Sequence, residues 1–246
     1  MKQPEILTGC SSYYNRKWIG IFYPEVLSSK EWFAYYCVHF NTYELNASFY
    51  KFPTSKTLHT WYTKSPDGFT FAVKAPKLIT HTKKLVDCEH EIDEFYVACR
   101  DGLQDKLGCV LFQFPPSFNY SLERLELIIK QLKSDFKNVV EFRNNSWWTQ
   151  EVYDAFIKNK LIFCSVNYPK LPTNIIATHS TGYVRLHGNP KLFYSEYGSE
   201  ELSLMLADIQ KAHRLKEVFM YFNNTASTAG IINALAMKRM AGSAFI

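Results

Sequence analysis

The chain has 246 residues, of which 47% are hydrophobic and 21% are charged, which is ordinary for a folded protein and excludes a disordered chain. Its formal net charge of +5 weakly favours anionic partners but falls short of a nucleic-acid-binding signature. The N-terminus has no apolar signal core, and no run approaches the ~18 apolar residues of a membrane span. We therefore expect a cytoplasmic protein without membrane contact.

Eight short runs with β-type composition alternate with helical patterns along the chain, as in parallel βα units. The predicted strands cover residues 6–9, 42–45, 69–75, 109–114, 138–142, 161–166, 183–187 and 218–222. No linker or low-complexity segment divides the sequence. The sequence thus predicts an α/β fold, a (β/α)8 barrel of the TIM type, built as one domain from residues 1–246.

Apolar residues at helical spacing predict helices between these strands. Three helices follow predicted N-caps at Ser28 or Ser29, Ser121 and Ser199. The others cover about residues 54–64, 88–103, 149–160 and 230–240. Between strands six and seven, prolines and a Thr-rich stretch leave little room for a helix. We expect a loop to replace the helix there.

Polar side chains gather at the carboxyl ends of the predicted strands, where the catalytic groups of such barrels project. They are Glu44, Lys74, Gln113, Glu141, Arg143, Arg185, His187 and Asn223. Residues two apart on a strand share a face, which pairs Glu141 with Arg143 and Arg185 with His187. Burying an unpaired charge costs several kcal/mol. These groups must therefore pair with one another or face a wet cleft.

Two interpretations of this cluster remain open: a substrate cleft, and a salt-bridged brace across the barrel mouth. In the first, the predicted catalytic residues are Glu44, Glu141 and His187, acting as acids, bases and a proton shuttle. The predicted substrate-binding residues are Lys74, Gln113, Arg143, Arg185, Asn223, Tyr14 and His81. No cofactor motif is evident, although the three catalytic candidates could also hold a divalent metal.

Tyr14 and His81 enter this set from loops rather than from strand ends. Tyr14 belongs to an aromatic segment after strand one, which could stack on a ring-shaped ligand or simply cover the rim. His81 follows strand three, in a βα loop that borders the cleft. The six cysteines form no Cys-x-x-Cys pair and are predicted to be free thiols.

Several short motifs along the chain match a known family. They are GCSSYY at 9–14, ELN at 44–46, FAVK at 71–74, LFQFP at 111–115, EFR at 141–143, YVRLHG at 183–188 and YFNN at 221–224. This pattern resembles the YecE-like family, domain of unknown function seventy-two. The resemblance implies a TIM-type barrel and supplies no reaction. Three positions depart from the family: Ser12-Tyr13 for Gly-Trp, Asn144 for a common His, and Asn167 for a frequent Asp.

The cluster favours an enzyme that acts on a small anionic substrate, either sugar-like or phosphorylated. Hydrolysis or isomerisation is favoured over redox chemistry because the usual cofactor motifs are absent from the sequence. One alternative is a nucleic-acid-processing barrel, which a basic stripe outside the cleft would support. A second alternative is a non-catalytic protein that binds a ligand in the same pocket.

Overall fold

Eight parallel strands form the centre of the computed structural model, which describes residues 3–242. The strands are β1 (Glu5–Cys10), β2 (Thr42–Leu45), β3 (Thr70–Lys74), β4 (Leu107–Gln113), β5 (Asn138–Glu141), β6 (Ile162–Asn167), β7 (Thr181–Leu186) and β8 (Glu217–Phe222). Hydrogen-bonded neighbours follow the order β1-β8-β7-β6-β5-β4-β3-β2, so the sheet curls into a nearly closed barrel. The predicted TIM-type fold and its eight strands are confirmed.

Helices cover the outside of this barrel. They are α1 (Trp32–His39), α2 (Ala47–Tyr50), α3 (Ser55–Lys64), α4 (Glu89–Leu103), α5 (Leu122–Gln131), α6 (Gln150–Lys158), α7 (Ser199–Lys211) and α8 (Ala229–Met240). Residues 168–180 connect β6 to β7 without a helix, as the prolines there predicted. The short helix α2 and a π-helical turn at Leu78–Thr82 were not predicted.

Two of the predicted helix starts are wrong. α1 begins only at Trp32, and Glu31, not Ser28 or Ser29, is its N-cap residue. α7 is capped by Gly198, whose backbone N–H donates to the Glu201 carboxylate at 2.8 Å. A glutamate three residues into a helix can satisfy the cap N–H without any Ser. At α5, by contrast, Ser121 accepts from the backbone N–H of Arg124, as predicted.

Apolar side chains fill two separate layers on either side of the strands. The barrel interior holds Leu7, Leu111, Val139 and Phe219. The larger layer lies between the strands and the helices, where the Phe142 ring stacks on Trp147 at 4.0 Å between centroids. Since the apolar interior ends below the carboxyl ends of the strands, any polar cluster there rests on a packed floor.

The β1–β2 seam is closed by a side chain rather than by a hydrogen-bonded ladder. The Tyr36 hydroxyl of α1 accepts from the Cys10 N–H at 2.7 Å and donates to the Thr42 carbonyl at 3.0 Å. Gly9 lets the two strands approach, because a Cβ there would lie 2.4 Å from the Thr42 carbonyl oxygen. One buried hydroxyl therefore satisfies a backbone group on each side of the seam.

Two further expectations concern the thiols and the membrane. All six cysteines are free, and five of them are buried. Within residues 3–242, none of the helices has the length and apolar character that crossing a bilayer requires.

Candidate functional site

The strand ends bring most of the predicted polar residues to one place. Side chains two residues apart share a face, so the interior positions of β7 run through Tyr183 and Arg185 to His187 just beyond the strand. The same alternation carries β5 inward through Glu141 to Arg143. The cluster therefore sits directly above the apolar barrel interior.

Arg185 is the centre of the cluster and is almost completely buried. Its Nε and Nη2 donate to the two carboxylate oxygens of Glu44 at 2.9 and 2.6 Å, and its Nη1 donates to Glu141 at 2.5 Å. Glu44 also accepts from the Tyr183 hydroxyl at 2.8 Å and from the Asn46 amide at 3.0 Å. Every nitrogen of this guanidinium thus faces a carboxylate, an arrangement that fits the brace interpretation.

Glu141 lies between two guanidinium groups. Its second oxygen is 2.6 Å from Arg143 Nη2 and 3.3 Å from His187 Nε2. Burial would raise the pKa of Glu141, but the positive charges of Arg143 and Arg185 outweigh it and hold that pKa well below its usual value. Glu141 is therefore an ionised carboxylate at neutral pH, and not a proton donor.

His187 is fully buried and held at both ring nitrogens. The Asn223 amide donates to its Nδ1 at 2.7 Å, and Ser11 in turn donates to the Asn223 carbonyl at 2.5 Å. Burial and the neighbouring Arg143 lower the pKa of His187 to about 3. The imidazole is thus neutral at physiological pH, and its Nε2 lies 3.1 Å from Arg143 Nη2 and 3.3 Å from Glu141.

Lys74, at the end of β3, is buried without a carboxylate partner. Its Nζ donates to the Gln113 side-chain carbonyl at 2.9 Å and lies 4.1 Å from the centre of the Phe49 ring. None of the salt bridges formed within residues 3–242 includes Lys74. Burial, and then the charge of Arg185, lower the pKa of Lys74 to about 7.

A cavity of about 230 Å³ opens over this cluster. Its lining consists of Ser11, Asn46, Phe49, Tyr50, Lys74, Gln113, Arg143, Arg185, Phe193, Asn223 and Thr225. Two larger depressions, of about 470 and 590 Å³, lie against the outer helices and contain no strand-end residue of the cluster. Size alone therefore does not mark the site, because the smaller cavity is the one where charged side chains converge.

Five predicted substrate-binding residues line this cavity, namely Lys74, Gln113, Arg143, Arg185 and Asn223. His81 lies just behind it, with its ring against Phe49 at 4.9 Å between centroids. Burial and the charge of Lys74 lower the pKa of His81 to about 4, so this imidazole is neutral. Tyr14 is 53% exposed and packs on Trp32, which matches its alternative interpretation as rim packing.

The hypothesis of a metal on Glu44, Glu141 and His187 gains no geometric support. Within residues 3–242, no group of three or more His, Cys, Asp or Glu side chains is arranged to hold a metal ion. The three side chains instead face guanidinium groups, which would repel a cation.

Sequence reasoning missed several contacts in the cluster. Tyr183, which binds Glu44, sits two residues before Arg185, so strand alternation could have found it. Tyr168 stacks under the Arg143 guanidinium at 4.1 Å, and Phe193 lines the cavity from the loop after β7. Both of these come from loops, which carry no periodic signal.

Two of the departures from the family pattern, Asn144 and Asn167, form hydrogen bonds outside the cavity lining. Asn144 accepts from the Ser146 N–H at 3.1 Å and donates to the Pro116 carbonyl at 2.9 Å. Asn167 accepts from the Tyr197 hydroxyl at 3.1 Å. Neither residue is among those that line the cavity. These two departures therefore lie outside the cavity lining.

The comparisons with known proteins agree with this architecture. The chain is 30% identical to the UPF0759 protein YunF of Bacillus subtilis over 89% of both chains. It is 26% identical to the UPF0759 protein YecE of Escherichia coli over 59% of this chain and 51% of that protein.

Solved structures show the same fold. A DUF72 family protein of Thermotoga maritima has a TM-score of 0.87 at 28% identity, and the match covers 97% of this chain and all (100%) of that one. One from Enterococcus faecalis has a TM-score of 0.80 at 21% identity, covering 97% and 96%, which shows the fold alone. The family model "Protein of unknown function DUF72" matches residues 7–245. The chain therefore belongs to the DUF72 family.

Proposed function

We propose that this protein is an enzyme whose small anionic substrate, sugar-like or phosphorylated, binds in the strand-end cavity. The observation that carries the proposal is the charge of the lining. Three of the described residues that line the cavity are cationic, Lys74, Arg143 and Arg185, and none is a carboxylate. An anion is the ligand that such a lining favours.

The charge balance of the whole cluster points the same way. Three cations face the two buried carboxylates of Glu44 and Glu141, which leaves one positive charge in excess when Lys74 is protonated. Arg143 also has a buried Nε without a hydrogen-bond acceptor. An anion in the cavity would balance the excess charge, and we assign Arg143 as its anchor because this guanidinium lines the cavity and shares its one carboxylate, Glu141, with Arg185.

Lys74 is the group best suited to transfer a proton near neutral pH. A general acid or base works best when its pKa is close to the working pH, and that of Lys74 is about 7. Glu44 is already saturated by Arg185, Tyr183 and Asn46 and is more useful in positioning Arg185. In this proposal, general acid–base chemistry by Lys74 drives a hydrolysis or an isomerisation.

The cavity size limits the substrate class. Pockets for drug-sized ligands hold about 300–1,000 Å³, whereas this cavity holds about 230 Å³. A small metabolite fits this space better than a nucleic-acid duplex.

The burial of Glu44 and His187 favours a second candidate function. Because both side chains are fully buried, the protein could bind the same anion without converting it.

Calorimetric titration of the protein with inorganic phosphate tests the anion site. We expect binding that Arg143→Gln weakens about tenfold or more, since a charge-assisted hydrogen bond contributes about 1.5–3 kcal/mol. Lys77→Gln is the matched control because it removes an exposed positive charge three residues from Lys74. Absence of phosphate binding, or equal loss in both variants, would refute the site. Turnover of phosphorylated sugars then separates an enzyme from a binding protein.

A further inference from the structure

The environment of Lys74 differs from that of a structural buried lysine in the same protein. Lys106 is also buried, and its Nζ donates to the carbonyls of Tyr62 and Ser65 and to the Ser65 hydroxyl, at 2.9, 2.7 and 3.1 Å. Lys74 Nζ has one acceptor, the neutral Gln113 carbonyl. The Phe49 ring covers one side of Nζ, and the remaining side of the amine borders the cavity without a second acceptor among the described residues.

Burial, and then the positive charge of Arg185, disfavour the ammonium form of Lys74. The nearby carboxylates of Glu44 and Glu141 are already taken by Arg185 and Arg143, so they offset only part of the positive charge around this lysine. The resulting pKa of about 7 leaves roughly half of the Lys74 side chains as the neutral amine at neutral pH. A neutral amine in a cavity with an open approach is a nucleophile.

We propose that Lys74 forms an imine with an anionic aldehyde or ketone whose acidic group rests on Arg143. This inference rests on the proposed function and names its substrate class: a small phosphorylated or carboxylated carbonyl compound. The Phe49 ring, 4.1 Å from Nζ, forms one wall beside the reacting nitrogen. Gln113 Oε1, 2.9 Å from Nζ, accepts a hydrogen bond from the amine and thereby orients its lone pair.

The chemical step balances without any oxidant or reductant. The Nζ lone pair forms a bond to the carbonyl carbon while the carbon–oxygen π bond breaks, and proton transfer from nitrogen to oxygen gives a carbinolamine. The second nitrogen proton and the hydroxyl leave as water, and the carbon–nitrogen double bond forms. Protonation of that imine would draw electrons from the neighbouring carbon, which is how an amine promotes isomerisation or carbon–carbon cleavage.

Reductive trapping tests the imine directly. The intact protein is incubated at pH 7 with dihydroxyacetone phosphate and sodium cyanoborohydride, and the modified lysine is located by peptide mass mapping. We expect one dominant adduct on Lys74, formed at least about tenfold faster than on any exposed lysine, because an ordinary lysine with pKa about 10.4 is almost fully protonated. Lys74→Arg keeps the charge and should abolish that adduct, whereas Lys77→Arg should label like the wild type.

Two further arms separate this inference from the proposed function. If inorganic phosphate binds in the calorimeter but Lys74 is labelled no faster than exposed lysines, the imine is refuted and the anion site stands. If Lys74 is labelled equally fast by neutral dihydroxyacetone and by its phosphate, and inorganic phosphate does not compete, Lys74 still forms an imine, but the anion site and the anionic substrate class are refuted. Selective labelling by the phosphorylated probe, suppressed by inorganic phosphate, supports both.

Discussion

At the residue scale, the two arginines of the cluster differ in how completely carboxylates surround their guanidinium groups. Arg185 has all three guanidinium nitrogens on the carboxylates of Glu44 and Glu141. Arg143 contacts one carboxylate, that of Glu141, and His187 Nε2, stacks on Tyr168 and has no hydrogen-bond acceptor at its buried Nε. The first arginine holds the barrel mouth together, and the second has capacity left for a ligand. The brace interpretation therefore fits Arg185, whereas the proposed anion site rests on Arg143.

This difference predicts that truncating Arg185 lowers the stability of the protein more than truncating Arg143 does. Arg185→Ala leaves Glu44 and one oxygen of Glu141 buried without their cation, and we expect a loss of about 3–5 kcal/mol. In a domain of this size that loss lowers the melting midpoint by about 6–20 °C. Calorimetry measures it, with exposed Arg214→Ala as a control expected within about 0.5 kcal/mol of the wild type. A change below about 2 °C for Arg185→Ala would contradict the brace.

His187 makes stability depend on acid pH. Burial and Arg143 lower its pKa from 6.5 to about 3 in the folded state, whereas the unfolded chain keeps a value near 6.5. As pH falls below about 6.5, the unfolded state alone takes up this proton, and stability is lost progressively until about pH 3. Glu141 adds to the loss at lower pH, because its folded pKa is also depressed.

We therefore expect His187→Gln to flatten the pH dependence of stability. Between pH 7 and pH 5 the histidine accounts for about 2 kcal/mol of the loss in the wild type. Urea unfolding at several pH values measures the free energy of unfolding of both proteins. The prediction concerns the slope and not the absolute stability of the variant. Parallel curves for the two proteins over this range would show that the pKa of His187 is the same in the folded and unfolded states, which would contradict the prediction.

At the scale of elements, strands were easier to predict than the ends of helices. All eight strands lie within two residues of their predicted bounds, because short runs of β-type residues bounded by turn residues are a strong local signal. The start of α1 was wrong because a serine in the right place does not by itself form a cap. α2 has only four residues, too few to show a helical period.

In the candidate site, too, local features could be predicted from the sequence and long-range contacts could not. Strand alternation placed Glu141 and Arg185 on inward faces, and it follows from local geometry alone. Which charges pair could not be predicted, because the contact between Glu44 and Arg185 joins residues 141 positions apart. Phe49 and Phe193 reach the cavity from the segments after β2 and β7, where no sequence period specifies direction.

The contact between β1 and β2 depends on one side chain, that of Tyr36. Tyr36→Phe removes the hydroxyl that bridges the Cys10 N–H and the Thr42 carbonyl, and leaves both groups buried without that partner. We expect a loss of about 1–3 kcal/mol in the free energy of urea unfolding. Tyr35→Phe on the same helix is the control, because that ring is only partly buried. Equal stability of both variants would mean that water replaces the hydroxyl.

At the scale of the whole molecule, a parallel barrel closes only when strands far apart in sequence meet. β1 pairs with β8 in register from Glu5 opposite Glu217 to Cys10 opposite Phe222. The first and last strands are thus neighbours, and neither half of the chain forms the barrel interior alone. We predict that residues 1–246 unfold as a single cooperative domain.

The cysteines provide probes of this cooperativity in both apolar layers. Cys109 and Cys164 lie in the barrel interior, Cys88 and Cys99 lie in the outer layer, and Cys37 is half-buried on α1. In the native protein we expect slow reaction of Cys37 alone with a thiol reagent, since burial raises its pKa to about 12. With rising urea, the interior and outer thiols should become reactive in one transition, which coincides with the loss of the circular dichroism signal. All six free thiols should react once the chain is unfolded.

The Cys37→Ser variant is the control, because it removes the early reaction of the native protein. Reaction of Cys88 and Cys99 at clearly lower urea than Cys109 and Cys164 would show that the helical layer opens independently of the barrel.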